Sequence, residues 1–314
     1  MIPTEKRRII LDTDAGIDDA VAIVVLLKSC REQLKLVLTS YGNITLENAV
    51  LNALSVLALA GADDIPVICG ADKPGPGNGA YENAAHIHGA DGLGGLRNKA
   101  PLNELKLKKA VKGDYLQIIY DAIIEEQAKV DYIAIGPLTN LSALIKRFPD
   151  VLDYLDKVTV MGGGIKTGNI TPYAEFNFYC DAESANHVLA TIPDLTLVTL
   201  NLTNKIVFDL PGIAEIGAAG TDMAKFIESV LVYNYRQCVA YGDSGSVMHD
   251  AAAVLAYVYP ELFEFELCEI KVESGQERYG ESILINKKNK NNIKLAVKTD
   301  IKLLLKIITD SIII

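Results

Sequence analysis

Short runs of β-branched and aliphatic residues recur along the first two thirds of the chain, most of them followed by a longer segment with apolar residues at helical spacing. "RRIILDTD" leads into "DDAVAIVVLLKSC", "LKLVLTSYG" into "LENAVLNALSVLALAG", and "IPVICG" supplies a third run. The alternation continues through the helix "GDYLQIIYDAIIEEQA", the strand "VDYIAIGP", the helix "LTNLSALIKRF", the strand "KVTVMGGG", the helix "DAESANHVLATI" and the strand "LTLVTLNLT". Strands separated by helices cannot pair through tight hairpins, so the pattern predicts an α/β fold built on a mostly parallel, doubly wound, Rossmann-like sheet with helices on both faces. Such sheets take their ligands at the carboxyl ends of their strands.

After residue 220 the grammar changes. Helices are expected around 221–241 and 249–258, then strands in "FEFELCEIKVES", "ESILIN" and "NIKLAVKT", then a helix over about 300–312. These read as a peripheral C-terminal addition of helices and short strands, with "INKKNKNNIK" (285–294) as a polar hairpin tip. No Ser/Gly/Pro-rich linker or internal repeat divides the 314 residues, which read as one domain, 1–314. The long glycine-rich segment 69–95 holds two of the four histidines, and irregular loops of that length are often functional.

A formal net charge of −10, with no basic stripe apart from 285–294, argues against a nucleic-acid partner. The N-terminus lacks a long apolar stretch with a cleavage site, and no run of about 18 uncharged apolar residues occurs, so no membrane association is expected and the chain reads as soluble and cytoplasmic. Five scattered cysteines without a CxxC pair indicate neither a disulfide framework nor a zinc site. The four sequons, at Asn43, Asn140, Asn169 and Asn201, carry no weight without a secretion signal.

The first apolar run empties into four aspartates, Asp12, Asp14, Asp18 and Asp19, within eight positions. Carboxylates this close disfavour one another's ionisation, so a fold must protonate some, spread them into water or bring in a cation. On an extended strand Asp12 and Asp14 point the same way, and Gly16 permits a sharp turn into a helix starting near Asp18, so all four should converge at one strand end. Helix capping alone accounts for one or two acids, not four. An EF-hand would need a glutamate eleven residues after its first aspartate, where Ile23 or Val25 stands. A hard divalent cation held by carboxylate oxygens is the simplest answer. A rival reading is a haloacid-dehalogenase-like, magnesium-dependent phosphatase with Asp12 as nucleophile, but it leaves Asp18 and Asp19 unexplained.

"DTDAGIDDA", taken with "TSYGNITLENAVLNAL", "HGADGLGG", "AIGPLTNL", "VMGGG", "GNITPYAEFNFYCDAESA" and "VMHDAAAV", closely resembles the inosine–uridine-type nucleoside N-ribohydrolases, in order from about residue 8 to 260. The resemblance implies a calcium-dependent enzyme that hydrolyses the N-glycosidic bond of ribonucleosides, releasing ribose and free base for catabolism or salvage. It implies Asp14, Asp19, Asp250 and the backbone carbonyl of Ile135 as calcium ligands, with Asp14 also the base that takes a proton from water. Asp18, Asn43, Met161, Asn169, Glu175 and Asn177 would then hold the ribose, and Asp12 would support the site from behind. It further implies a homo-oligomer, dimer or tetramer, consistent with the apolar tail "TDIKLLLKIITDSIII".

The leaving base needs a proton donor. His249, beside Asp250, is the first candidate and His88 the second, whereas His187 and His86 read as packed or solvated side chains. Tyr233, Gln237 and Tyr241 form one helical stripe that would meet the base, with a slight lean toward uridine and cytidine alongside possible inosine activity. Two departures from the family pattern, Ala15 for a frequent proline and Asn201 for a frequent aspartate, remove no expected metal ligand. A nucleoside sensor without turnover is the non-enzymatic alternative.

Overall fold

The computed structural model describes residues 7–75, 83–275, 277–286 and 293–313. Most of the suggested hairpin tip, residues 287–292, and residues 76–82 of the long loop lie outside them. The strands are β1 (Arg8–Thr13), β2 (Leu34–Thr39), β3 (Val67–Cys69), β4 (Val130–Ala134), β5 (Leu155–Met161), β6 (Thr196–Val198), β7 (Val207–Phe208), β8 (Ser246–Val247), β9 (Phe263–Val272), β10 (Ser282–Asn286) and β11 (Ile293–Thr299). Nine of them form one sheet in the order β10-β9-β11-β6-β5-β4-β1-β2-β3, while β7 and β8 pair separately.

From β3 to β11 every neighbouring pair is parallel. The chain winds outward from β1 through β2 to β3, then returns beside β1 with β4 and winds the other way. That reversal between β1 and β4 is a topological switch point, where the loops leaving adjacent strand ends diverge and open a crevice. Asp14 lies one residue beyond the end of β1, and Ile135 directly follows β4.

Strands β1 and β4 are buried along nearly their whole length, as strands covered on both faces must be. One apolar cluster joins the helices Ile17–Cys30, Leu46–Leu59, Asp222–Ala240, Asp250–Val258 and Ile301–Ile313 to one face of the sheet. The other face packs the helices Tyr115–Ile124, Thr139–Arg147 and Ala182–Thr191. The helix Ile17–Cys30 is buried continuously from Ile17 to Leu27. Such an element is a rigid mount for the acids in its first turn.

The strands after residue 260 lie at one edge of the main sheet and extend it: β11 pairs parallel with β6, β9 antiparallel with β11, and β10 antiparallel with β9. Their inward residues Cys268, Ile270, Ile293 and Leu295 complete one apolar face. The run "LTLVTLNLT" is strand only over Thr196–Val198, and Leu200–Thr203 is a helical turn. No helix among the described residues is long and apolar enough to cross a membrane.

Candidate active site

The turn from β1 into the first helix is built by Ala15 and Gly16. Ala15, not the glycine, takes the left-handed conformation (φ 47°), held by its N–H on Thr13 Oγ1 at 3.0 Å and its carbonyl on Asn52 Nδ2 at 3.0 Å. Gly16 is extended (φ −79°), so the turn does not require it; crowding does. A Cβ there would lie 2.6 Å from His88 Nδ1 and 2.7 Å from Asn43 Nδ2. The helix N-terminus is thus pressed against both side chains, and Ile17 N–H donates to His88 Nδ1 at 3.1 Å.

Behind the turn, Asp12 is fully buried, accepting from Tyr132 Oη at 2.8 Å and Asn140 Nδ2 at 2.9 Å, and burial pushes its carboxyl up to about 7. Asp12 therefore supports the strand end and does not join the other acids. Asp14 accepts from Asn43 N–H at 2.6 Å and from Asn43 Nδ2 at 3.1 Å. Gly42 permits this, because a Cβ there would fall 2.0 Å from Asp14 Oδ2. Asp19 accepts from Gly16 N–H at 2.8 Å, from Asn43 Nδ2 at 3.1 Å and from Thr13 Oγ1.

Carboxylate oxygens of Asp18, Asp19 and Asp250 lie within 4.8 Å of one another, all three residues buried. Asp250 arrives from the far end of the chain as the first residue of its helix, its N–H 3.4 Å from Asp18 Oδ2. The grouping differs from the set implied by the resemblance: Asp18 is inside it, and Asp14 stands against Asp19 with its oxygens taken up by Asn43. Burial raises the proton affinity of Asp14, Asp18, Asp19 and Asp250, and the neighbouring carboxylates raise Asp14, Asp19 and Asp250 further. Asp19 is pushed up to about 6.

Of these acids, Asp18 and Asp250 line a cavity of about 360 Å³, whose strand-end side is completed by Asn43, Ile135, Met161, Asn169, Glu175 and Asn177. Asn177 Nδ2 ties two strand ends together, 3.0 Å from the Ile135 carbonyl and 3.3 Å from that of Met161. Glu175 accepts from Asn177 N–H at 2.8 Å, Phe178 N–H at 3.0 Å and Gly163 N–H at 2.8 Å. It caps the short helix Phe176–Cys180 while burial raises its pKa. Asn169 Oδ1 accepts from Phe176 N–H at 2.9 Å.

His88 and His249 both line the cavity. Burial, with the neighbouring His249 and His86, lowers His88 to about 3, so its Nδ1 is free to accept from Ile17 and its proton sits on Nε2. Burial lowers His249 to about 4, and its Nδ1 lies 2.7 Å from Thr203 Oγ1. His187 is apart from the site, against Ser142 Oγ at 3.1 Å. His86, read from the sequence as a bland side chain, lines the cavity, its ring edge-on to Tyr241 with centroids 6.0 Å apart.

The helix Asp222–Ala240 turns a different face inward from the expected one. Of the stripe Tyr233, Gln237 and Tyr241, only Tyr241 lines the cavity; the ring of Tyr233 packs over Gly94, where a Cβ would be 2.6 Å from it. Asn234 and Cys238 take the inward places, because the buried stripe Ile227, Val230 and Leu231 continues through them at helical spacing. That continuation is the signal that would have found them. Asn204, Asp243 and Val247 complete this side, and no Lys or Arg is among the described residues lining the cavity.

A hard cation fits this donor set. Four buried carboxylates at one strand end, with raised proton affinities and no basic side chain in the cavity wall, offer the all-oxygen environment such an ion takes. The arrangement suits a polar ligand with one end on acids and amides and the other among aromatic and amide groups.

The family model for "inosine-uridine preferring nucleoside hydrolase" matches residues 9–306. A probable uridine nucleosidase of Oryza sativa is 32% identical over 272 residues, covering 86% of this chain and 82% of that one. A non-specific ribonucleoside hydrolase of Escherichia coli is 32% identical over 305 residues, 94% of each chain. The solved structure of a purine-preferring ribonucleoside hydrolase from Gardnerella vaginalis superposes with a TM-score of 0.88 at 25% identity, covering 98% of both chains. A match of this extent sets aside the phosphatase and sensor readings. The chain belongs to the inosine-uridine preferring nucleoside hydrolase family and is a ribonucleoside hydrolase.

Proposed function

We propose that the protein is a calcium-dependent hydrolase of ribonucleosides that favours the pyrimidine nucleosides uridine and cytidine, with inosine also turned over. The observation that carries this reading is the buried acid cluster at the β1–β4 switch point, opening onto a cavity whose wall is acids and amides on one side and aromatic and amide groups on the other. Names among the relatives include uridine nucleosidase and non-specific ribonucleoside hydrolase, which is compatible with a pyrimidine lean.

Asp14, Asp19, Asp250 and the Ile135 carbonyl would hold the cation, with Asp18 beside them contributing to the same negative site. A bound divalent cation supplies a grip on vicinal hydroxyls and a lowered pKa for water. Asp18, Asn43, Asn169, Glu175 and Asn177 orient the ribose, Met161 packs beside it, and the buried carboxylates face the positive charge that grows on the sugar ring as the bond to the base breaks. Water adds its hydroxyl to C1′ and gives a proton to Asp14, the glycosidic electron pair leaves with the base, and His249 delivers a proton to the base nitrogen. His249, neutral at rest because it is buried, takes that proton from solvent as negative charge develops on the base beside it, and returns to the neutral imidazole once the proton is delivered. His88, fixed with its proton on Nε2, is the second donor.

Ribose release from uridine, cytidine, inosine, adenosine and guanosine, with calcium or with a chelator, tests the reading. Reducing sugar is expected from the pyrimidine ribonucleosides foremost, and only with calcium. No release from any of the five with calcium present would defeat the proposal.

A further inference from the structure

We propose that Asp243 determines base specificity by accepting a hydrogen bond from an exocyclic amine, so that cytidine is favoured over uridine and adenosine over inosine. The inference rests on the ribonucleoside reading of the cavity and specifies what its far side recognises.

The acids and amides of the strand ends occupy one part of the wall. The remainder comes from the end of the helix Asp222–Ala240, the turn that follows it, and the short helix Ala85–His88. Asp243 N–H donates to the Cys238 carbonyl at 3.0 Å, folding the turn back so that Asp243 joins Cys238 and Tyr241 along the cavity.

An inventory of this side leaves few groups to read a base. Asn234 is committed, donating from Nδ2 to Ser246 Oγ at 2.8 Å and accepting from Cys238 Sγ at 3.6 Å. Tyr241 presents its ring against His86, and Val247 is apolar. Asn204 offers both donor and acceptor and cannot discriminate by sign. Asp243 alone carries charge on this side, and it makes no ion pair with a described residue.

An ionised carboxylate only accepts. The amines of cytosine and adenine donate to it, as carboxylates read the cytosine amine in nucleic acids. The matching positions of uracil and hypoxanthine are carbonyl oxygens, whose lone pairs would oppose it. Their ring N–H is a donor too, but it lies beside a carbonyl the carboxylate also meets. Asp243 is exposed in the open cavity, and a base seated beside it covers the carboxylate; a carbonyl lone pair then left facing it discriminates more strongly than a change of apolar bulk.

The test is kcat/KM for cytidine, uridine, adenosine and inosine, measured on the native enzyme and on Asp243→Asn and Asp243→Ala in calcium. The native enzyme should show cytidine/uridine and adenosine/inosine ratios above one, and both variants should lower each ratio by about 10-fold. Native ratios below one, or ratios within about twofold of native in a variant that still turns over, would overturn the role of Asp243. No ribose from any nucleoside with the native enzyme would instead sink the activity reading beneath it.

Discussion

Asn43 is the residue on which the acid cluster turns. Its backbone N–H and side-chain amide engage Asp14, the same amide reaches Asp19, and a Cβ on Gly16 would strike it. Gly16→Ala should therefore displace Asn43 and His88 together, costing about 1–3 kcal/mol of stability and most of the activity. Thermal melting with parallel uridine assays checks this, and an unchanged melting point and rate would show that the N-terminus of the helix yields freely. His249→Ala tests the other end of the reaction. Turnover of uridine should fall by roughly 10²–10⁴-fold, calcium binding should survive, and a nitrophenyl riboside, whose leaving group needs no proton, should be comparatively spared. Equal losses on both substrates would move His249 from proton transfer to site architecture. The concentration of acids was legible because their density has no cheap structural explanation. Which of them group together was not: sequence spacing places Asp12 and Asp14 on the same side of an extended strand, whereas hydrogen bonds from Asn140, Tyr132 and Asn43 divide them.

Among the elements, the short helix Phe176–Cys180 depends on Glu175, whose carboxylate accepts three backbone N–H groups. Glu175→Ala should cost about 1 kcal/mol through the lost cap and should raise KM for uridine while calcium affinity is retained. A KM equal to native with only the stability loss would mean that Glu175 holds the helix and not the ribose. The βαβ alternation from β1 to β6 could be read directly, because buried parallel strands and amphipathic helices leave different apolar periods. The incorporation of β9 and β11 into the same sheet could not. Charged residues alternate through "FEFELCEIKVES" and "NIKLAVKT" in a way that suits any half-exposed ribbon, and only long-range pairing with β6 fixes where they lie. The sequence bounds the helix Asp222–Ala240 to within a residue at each end, but its inward face lies one residue on from the expected stripe, a rotation of about 100° that exchanges Tyr233 and Gln237 for Asn234 and Cys238.

At the scale of the whole molecule, the carboxylates buried at the switch point make stability depend on pH and on metal. Asp12 at about 7 and Asp19 at about 6 both stand above their ordinary 3.8. Over that range the buried histidines His88 and His249 bind fewer protons in the native state than in the unfolded chain, but the raised acids Asp12, Asp14, Asp18, Asp19, Glu175 and Asp250 outnumber them, so the metal-free native state binds more protons in total and its stability should fall as pH rises from about 4 to about 7. Denaturant melts in chelator should show that slope, and calcium should flatten it by compensating Asp19 while leaving the contribution of Asp12. A metal-free protein whose stability rises over the same range would contradict the burial of these acids. Whether the acid cluster holds a divalent cation required for N-glycosidic cleavage is decided by stripping the enzyme with chelator and titrating calcium back while ribose release from uridine and cytidine is followed. Activity should vanish on stripping and return saturably with calcium in the native enzyme, and should not return in Asp250→Ala. Full activity in the stripped enzyme, or equal recovery in Asp250→Ala, would contradict that requirement.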